Sequence, residues 1–352
     1  MVVVAAIVTV LAIIKVPYVI ISPGDATALD DSVISISGTE TYEHRGELLF
    51  LTVRVTNDDP NVWRWLFAQL DDDLRVQERE EVIGCASYAD SGRLNDELML
   101  QSRDVAKEVA LTRLGHQVDL LGTRVIIRDV ECDGPAEGAL RPGDLVTAVD
   151  GTAVATAEEI APLVQAHAPG DTVRVAVERD GEALDVPVRL GAREQEVADA
   201  SGTHRETVTY AGVLSQTLYD WSFPVDVQID TQRVSGPSAG LAFALAIVDD
   251  LSPGDLTGGE KVAITGSIEA DGSVGAVGGV AQKAVTARDA GATLMLVPFG
   301  EGKEAREHAG DMRVAVVRTL DDALRALERA GGDPVAPTPA AASTVGAAPS
   351  GQ

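Results

Sequence analysis

Basic residues are scarce in this 352-residue chain: 28 lysines and arginines stand against 55 acidic residues, for a net charge of −27. A surface of that sign repels phosphate backbones, so nucleic acid is not an expected partner. Aromatics make up only 4% of the residues, too few for a base-stacking platform. There are two cysteines, Cys85 and Cys132. They match no metal-ligand spacing, which argues against a bound metal. They also fall in stretches that read as different domains, which predicts free thiols. No Gly-x-x-x-x-Gly-Lys-Ser/Thr loop occurs, so the chain offers no cradle for ATP phosphates. No cofactor is expected.

What is present begins with Gly236-Pro237-Ser238-Ala239-Gly240, followed at once by the apolar run Leu241 to Val248. Pro237 suits a first helical position, where a backbone N–H would be unpaired anyway. Ser238 then lies in a first turn, beside free N–H groups and the positive end of a helix dipole. Such groups stabilise an oxyanion. Gly236 and Gly240 allow close backbone approach. A serine nucleophile needs a base, and Gly278 to Gly291 supplies a candidate. That stretch reads as a helix from about Val280, stopped by Gly291. Val280, Ala284, Ala287 and Ala290 share one face, and Lys283 falls inside it, while Gln282, Thr286 and Asp289 take the opposite side. Desolvation there would lower the lysine pKa from ~10.4 towards ~7–8 and make the neutral amine a base. A lysine at the edge of such a stripe can also snorkel to solvent.

These pieces, with Ala263-Ile264-Thr265-Gly266, Asp271-Gly272-Ser273-Val274-Gly275 and the run from Ala290-Gly291-Ala292 to Val297-Pro298, resemble in order and spacing the proteolytic domain of the Lon serine–lysine peptidases. The resemblance implies Ser238 as nucleophile, Lys283 as general base and Thr265 as the group that orients the lysine. Ser235 and Ser267 depart from the family's usual acidic residues, which leaves the lysine's polar support open.

Met1 to Ile21 is nearly all apolar, with Lys15 late in the run. Its length fits one membrane span. A signal peptide is the rival, but a basic start and a small-x-small cleavage site are both missing. Leu48 to Val55 reads as a strand and Leu98 to Gly115 as an amphipathic helix, in which Ser102 is a packing residue. Asp58 to Asp90 has no clear pattern. Val125 to Val130 is a strand leading into Gly134 to Gly151, which resembles the middle of a bacterial PDZ domain. Ala157 to Ala166 would then be the groove helix, and Val173 to Val188 the closing strands. PDZ domains bind extended peptides by strand addition. By that resemblance Leu121, Gly122, Thr123 and Val125 are the peptide-binding residues, although Leu120-Leu121-Gly122-Thr123 departs from the usual Gly-Leu-Gly-Phe. Glu194 to Thr207 reads as a linker, and Pro334 to Gln352 as a disordered tail.

The order of apolar segment, PDZ domain and Lon-like domain resembles the membrane-anchored PDZ–Lon proteases of bacteria. The expected division is an anchor over 1–21, an N-terminal α/β segment over 22–116, a PDZ domain over 117–192, a Lon-type domain over 193–330 and a tail over 331–352. The expected class is α+β: a transmembrane helix, a PDZ domain (a β-rich, partly open barrel with helices), and a proteolytic domain of the ribosomal-protein-S5-domain-2-like kind. The resemblance implies an ATP-independent endopeptidase held in the cell membrane with both domains outside the cytoplasm. It would act on proteins or peptides, and Lon-type domains commonly form homo-oligomeric rings. Two rivals stand beside it. Gly236-Pro237-Ser238-Ala239-Gly240 also satisfies Gly-x-Ser-x-Gly, which in an α/β-hydrolase would need Asp289 and His308 as partners. The chain could instead be a PDZ scaffold with an inert peptidase site.

Overall fold

The structure is a computed structural model that describes residues 9, 11–199, 202–231 and 234–336. From the start, strands β1 (Tyr18–Ala28), β2 (Ile34–Ser37) and β3 (Glu47–Val55) are followed by helix α1 (Val62–Ala68), strand β4 (Arg75–Glu78), helix α2 (Arg79–Ile83) and the long helix α3 (Tyr88–Arg113). The next strands are β5 (Asp119–Val130), β6 (Leu145–Val149) and β7 (Thr152–Ala153). Helix α4 (Ile160–Gln165) precedes β8 (Thr172–Arg179), β9 (Glu182–Arg189), β10 (Gly191–Asp199), β11 (Gly202–Tyr210) and β12 (Val213–Ser222). The last part holds β13 (Asp226–Ile229), α5 (Gly240–Asp250), β14 (Lys261–Ile264), β15 (Ser267–Ile268), β16 (Val274–Gly275), α6 (Val280–Asp289), β17 (Leu294–Pro298), α7 (Gly302–His308), β18 (Arg313–Val317) and α8 (Leu320–Ala330).

The first and last parts form one sheet, in the order β18-β17-β14-β3-β1-β4. β14 lies between β3 and β17, parallel to both, while β1 is antiparallel to β3 and β4. Both faces of the sheet are covered, and alternate residues divide between them as strand geometry requires. Phe50, Ile264 and Leu296 pack under α3, α5 and α8. Leu51, Ala263 and Val297 pack under α6 and α7. α5 is buried on every side, from Gly240 to Asp249. At roughly 1.5–3 kcal/mol for each large apolar side chain withdrawn from water, it anchors the domain. The residues 22–116 are therefore no separate segment. β1 and β3 are strands of the same sheet that carries the Lon-like motifs, a pairing too distant in sequence for local pattern to reveal.

The end of the expected anchor, residues 18–21, is strand rather than helix. Residues 18–21 open β1 and pair with β4, with Val19, Ile20 and Ile21 buried in the sheet. Lys15 bridges Asn61 and forms an ion pair with Asp58. A short apolar run suits a buried strand as well as a helix, and periodicity does not separate them. Residues 1–8 and 10 lie outside the described residues, among which no helix is long and apolar enough to cross a membrane. The expected tail from 337 onward also lies outside them.

Between α3 and β13 sits a second core, built on the sheet β12-β5-β6-β8-β9. It includes β12, well beyond the predicted limit of 192. The predicted linker is the antiparallel hairpin β10–β11. The PDZ-like module is thus inserted within the other domain. Arg93 of α3 forms an ion pair with Asp180 of the module, and a Cys85–Cys132 disulfide joins the two, with 5.4 Å between the Cα atoms. The expectation of free thiols fails because the stretches that hold them are packed together.

A crosslink of this kind stabilises chiefly by restricting the unfolded chain. Reduction, or the double change Cys85→Ala and Cys132→Ala, should lower unfolding free energy by about 2–4 kcal/mol, read as an earlier midpoint in urea.

Candidate active site

Gly236 has φ of 91°, a region that favours glycine, and its N–H donates to Asn95 O of α3 at 2.9 Å. Pro237–Ala239 then forms one turn of 3-10 helix that runs straight into α5. Two neighbours hold this turn. The Ser102 hydroxyl donates to Pro237 O at 3.0 Å, and the Gly266 N–H donates to Ser238 O at 3.0 Å. A Cβ on Gly240 would come within 2.7 Å of Ser102 Oγ and 2.9 Å of Ile268 Cγ2, so the helix start admits no side chain there. Ser102 thus fixes the backbone that presents Ser238. Ala239 is buried, as is Gly240.

Lys283 approaches from the opposite face of the sheet. α6 begins after Gly279, whose φ of 68° is left-handed and where an added Cβ would come within 2.8 Å of Val53 Cγ1. Lys283 is 2% exposed, so it does not snorkel to solvent. Gln282 and Thr286, expected on an outer face, are buried as well. The reason is a loop beyond α1: Gln282 Nε2 donates to Asp73 O at 3.2 Å, so α6 is covered on both sides. Thr265, fully buried just past the carboxyl end of β14, lies between Ser238 and Lys283. It accepts from Lys283 Nζ at 3.1 Å and reaches Ser238 O at 3.4 Å. Burial lowers the Lys283 pKa to about 8, opposed by the negative charge of Glu301.

Glu301 has no counterpart in the sequence expectations. It precedes α7, and its Oε1 accepts from the Val277 N–H at 2.7 Å, which ties down the loop leading to Gly279. Its Oε2 is buried, with no hydrogen-bond partner among the described residues. Burial raises its own pKa, an effect partly offset by the Val277 N–H and Lys283. It supplies the acidic group that Ser235 and Ser267 do not. Ser267 is held in the β15–β16 ladder opposite Gly275. The only sequence signal was an acid soon after Val297-Pro298, which is too common a pattern to single out.

Ser235, Ser238, Lys283 and Glu301 line a single cleft of about 1500 Å³. Neither His308 nor Asp289 lines it. The His308 ring contacts Glu304 O, and Asp289 forms an ion pair with Arg288. The hydrolase triad is therefore not assembled.

In the inserted module, a groove of about 400 Å³ lies between α4 and the start of β12, lined by Ile160, Ala161, Val164 and Val213–Ser215. β12 is an edge strand of its sheet, where among the described residues it pairs with β5 alone. The expected peptide-binding residues lie elsewhere. Val125 is wholly buried in the module's core, Leu121 is exposed, and Gly122 and Thr123 pair with Asp220 and Tyr219 at the far end of β12. The groove strand follows the hairpin rather than preceding Val125, an ordering the local pattern did not carry.

Comparison with known proteins agrees with this geometry. A family model described as a PDZ domain matches residues 112–190. One described as the Lon protease (S16) C-terminal proteolytic domain matches residues 188–328. A Lon protease of Heliobacterium modesticaldum is 29% identical over 163 residues, covering 44% of this chain and 20% of the relative. A Lon protease of Clostridioides difficile is 44% identical over 63 residues, which is 18% of this chain and 8% of that one. The chain thus spans at most 20% of the length of these two relatives. The crystallised PDZ domain of an SdrC-like protein from Listeria innocua is 26% identical, covering 26% of this chain and 92% of that chain, with a TM-score of 0.20 that carries no argument. Residues 112–190 are thus similar to PDZ domains, and residues 188–328 to the proteolytic domain of Lon proteases.

Proposed function

We propose that the protein is an ATP-independent endopeptidase in which Ser238 is the nucleophile and Lys283 the general base. The observation that carries this reading is a nearly sealed lysine, hydrogen-bonded to Thr265, in the cleft that Ser238 also lines. The neutral amine removes the Ser238 proton as Oγ attacks the peptide carbonyl. The N–H groups of the turn before α5, at the positive end of its dipole, stabilise the oxyanion. The resulting ammonium returns the proton to the departing amine, and water then releases the acyl group by the same steps. Thr265 aims the amine and Glu301 sets how readily it holds a proton. The apolar run that ends at Ile14 belongs to a segment that holds the protein to a membrane, with the domains outside the cytoplasm. The disulfide favours that compartment, since such bonds persist in oxidising surroundings. The PDZ groove captures extended segments of protein substrates along the free edge of β12.

Ser238→Ala and Lys283→Ala should each lower kcat/KM for a peptide substrate by about 10³-fold or more, with circular dichroism unchanged. The double variant should be no worse than either single one, because the two groups act as a unit. A fluorophosphonate probe should label the wild type and not Ser238→Ala. Labelling of both proteins alike would remove Ser238 from its role.

The pH profile follows from the lysine. Only its neutral form is a base, so kcat/KM should rise with pH and level off above about 8. The Glu301 charge raises the lysine pKa, so Glu301→Gln should move the rising limb to lower pH. Lys283→Arg should be inactive throughout, since a guanidinium stays protonated. A limb in Glu301→Gln that stays in place or moves to higher pH would contradict the coupling.

For the groove, Ala161→Arg should slow cleavage of a protein substrate several-fold more than cleavage of a short unstructured peptide. Equal losses on both substrates would mean that the module supports the site rather than captures the substrate.

A further inference from the structure

One strand of the inserted module serves as a wall of two cavities. In β5 the alternation of strand residues breaks: Ile127 and Val130 are buried, and both residues between them are exposed. The cause lies in the register. Leu214 of β12 pairs with Asp129, and the next residue, Ser215, pairs with Ile127. Arg128 is thus the extra residue of a β-bulge, a device that re-aims a side chain. Asp129 lines the groove beside α4, while Arg128 lines the cleft of Ser238 and Lys283. Every other described residue that lines this cleft belongs to the surrounding domain. The cleft's two other arginines are taken: Asp25 holds Arg54 at 2.7 Å, and Glu304 holds Arg75 at 3.0 Å. The chain has 55 acidic residues against 28 basic ones, yet among the described residues none pairs with Arg128. Glu81 of α2 lines the same cleft and forms no ion pair with it.

We propose that Arg128 selects substrates by binding the carboxylate of an aspartate or glutamate side chain a few residues from the scissile bond. The proposal rests on the reading of Ser238 and Lys283 as the dyad. A guanidinium fork accepts both oxygens of a carboxylate, which fixes orientation as well as charge. The bulge is also held in place. A Cβ on Gly84 would come within 3.0 Å of Asp129 Oδ1, and Cys132, just beyond β5, is bonded to Cys85. α3 starts beside this contact and reaches the turn of Ser238 at Asn95, whose O accepts from the Gly236 N–H. From Tyr88 to Asn95 a helix rises about 11 Å, the span of some three to four residues of extended peptide. The inserted module thus supplies a specificity group to the cleft itself, apart from what its groove captures.

The test uses the full chain and acetylated, amidated forms of one cleaved peptide, with Glu or Gln placed in turn at each position on either side of the scissile bond. Blocked ends leave side chains as the only source of a carboxylate. At one position Glu should exceed Gln roughly three- to ten-fold in kcat/KM, and less in high salt. Arg128→Gln should erase that ratio, and Arg128→Glu should replace it with a preference for Lys. Arg233→Gln, at a residue next to the cleft-lining Val234 in sequence, should leave the ratio in place. So should Ala161→Arg, which obstructs the groove. Fluorescence anisotropy of the same peptide pair on Ser238→Ala should show Glu bound more tightly than Gln, which reads Arg128 without turnover. A ratio near one at every position, or one unchanged in Arg128→Gln, overturns the proposal and leaves the dyad intact. Loss of the ratio in Arg233→Gln or in Ala161→Arg also overturns it, because the carboxylate then binds elsewhere. Cleavage that persists in Ser238→Ala removes the dyad instead, and the anisotropy ratio then decides the role of Arg128 alone.

Discussion

A single amine kept from water sets the terms for the rest of this fold. Lys283 has one hydrogen-bond partner of note, the Thr265 hydroxyl, and one charge that raises its pKa, Glu301. A buried ammonium is expensive, so the site favours the neutral base. Three separate layers enforce that environment. The sheet lies on one side of α6 and the loop before β4 covers the other. The turn before α5, coming from the opposite face, brings Ser238 to the end of β14. The geometry of the proposed dyad is a property of where a parallel strand stops, with a helical element on each face contributing one group.

The residues of the proposed dyad are more legible in the sequence than the architecture is. Ser238 and Lys283 stood out because each contradicts its surroundings: a hydroxyl between glycines before an apolar helix, and a cation on an alanine stripe. Glu301 did not, because an acid in a surface-like turn contradicts nothing until the fold buries it. Ser102 read as packing and is packing, yet its hydroxyl also fixes the nucleophile's turn. The domain plan was misread for a different reason. Pairing of β3 with β14 is set by long-range burial, and nothing local in Leu48 to Val55 names its partner. The disulfide was hidden by the same error.

Family resemblance and fold also divide the chain differently. The matched proteolytic segment begins at residue 188 and the PDZ segment ends at 190. In the structure β12 belongs to the PDZ sheet, while β1, β3, β4 and α3 complete the proteolytic one. A protein cut at the matched boundary would leave β14 without its neighbour on one side and Ser238 without the helix that holds its turn.

The insertion also fixes an order of events during synthesis. All of the PDZ sheet precedes β14 in the chain, so this module can close while the ribosome is still making the lysine's helix. The first strands of the proteolytic sheet must meanwhile wait, with their edges open, for partners encoded after it. The early half is thus carried through translation beside a finished module and can be tied to it through Cys85 and Cys132. On the proposed mechanism, peptidase function would arise last, when the segment that holds Thr265, Lys283 and Glu301 has left the ribosome. On that reading, a nascent chain stalled before that point could grip a peptide and not cut it.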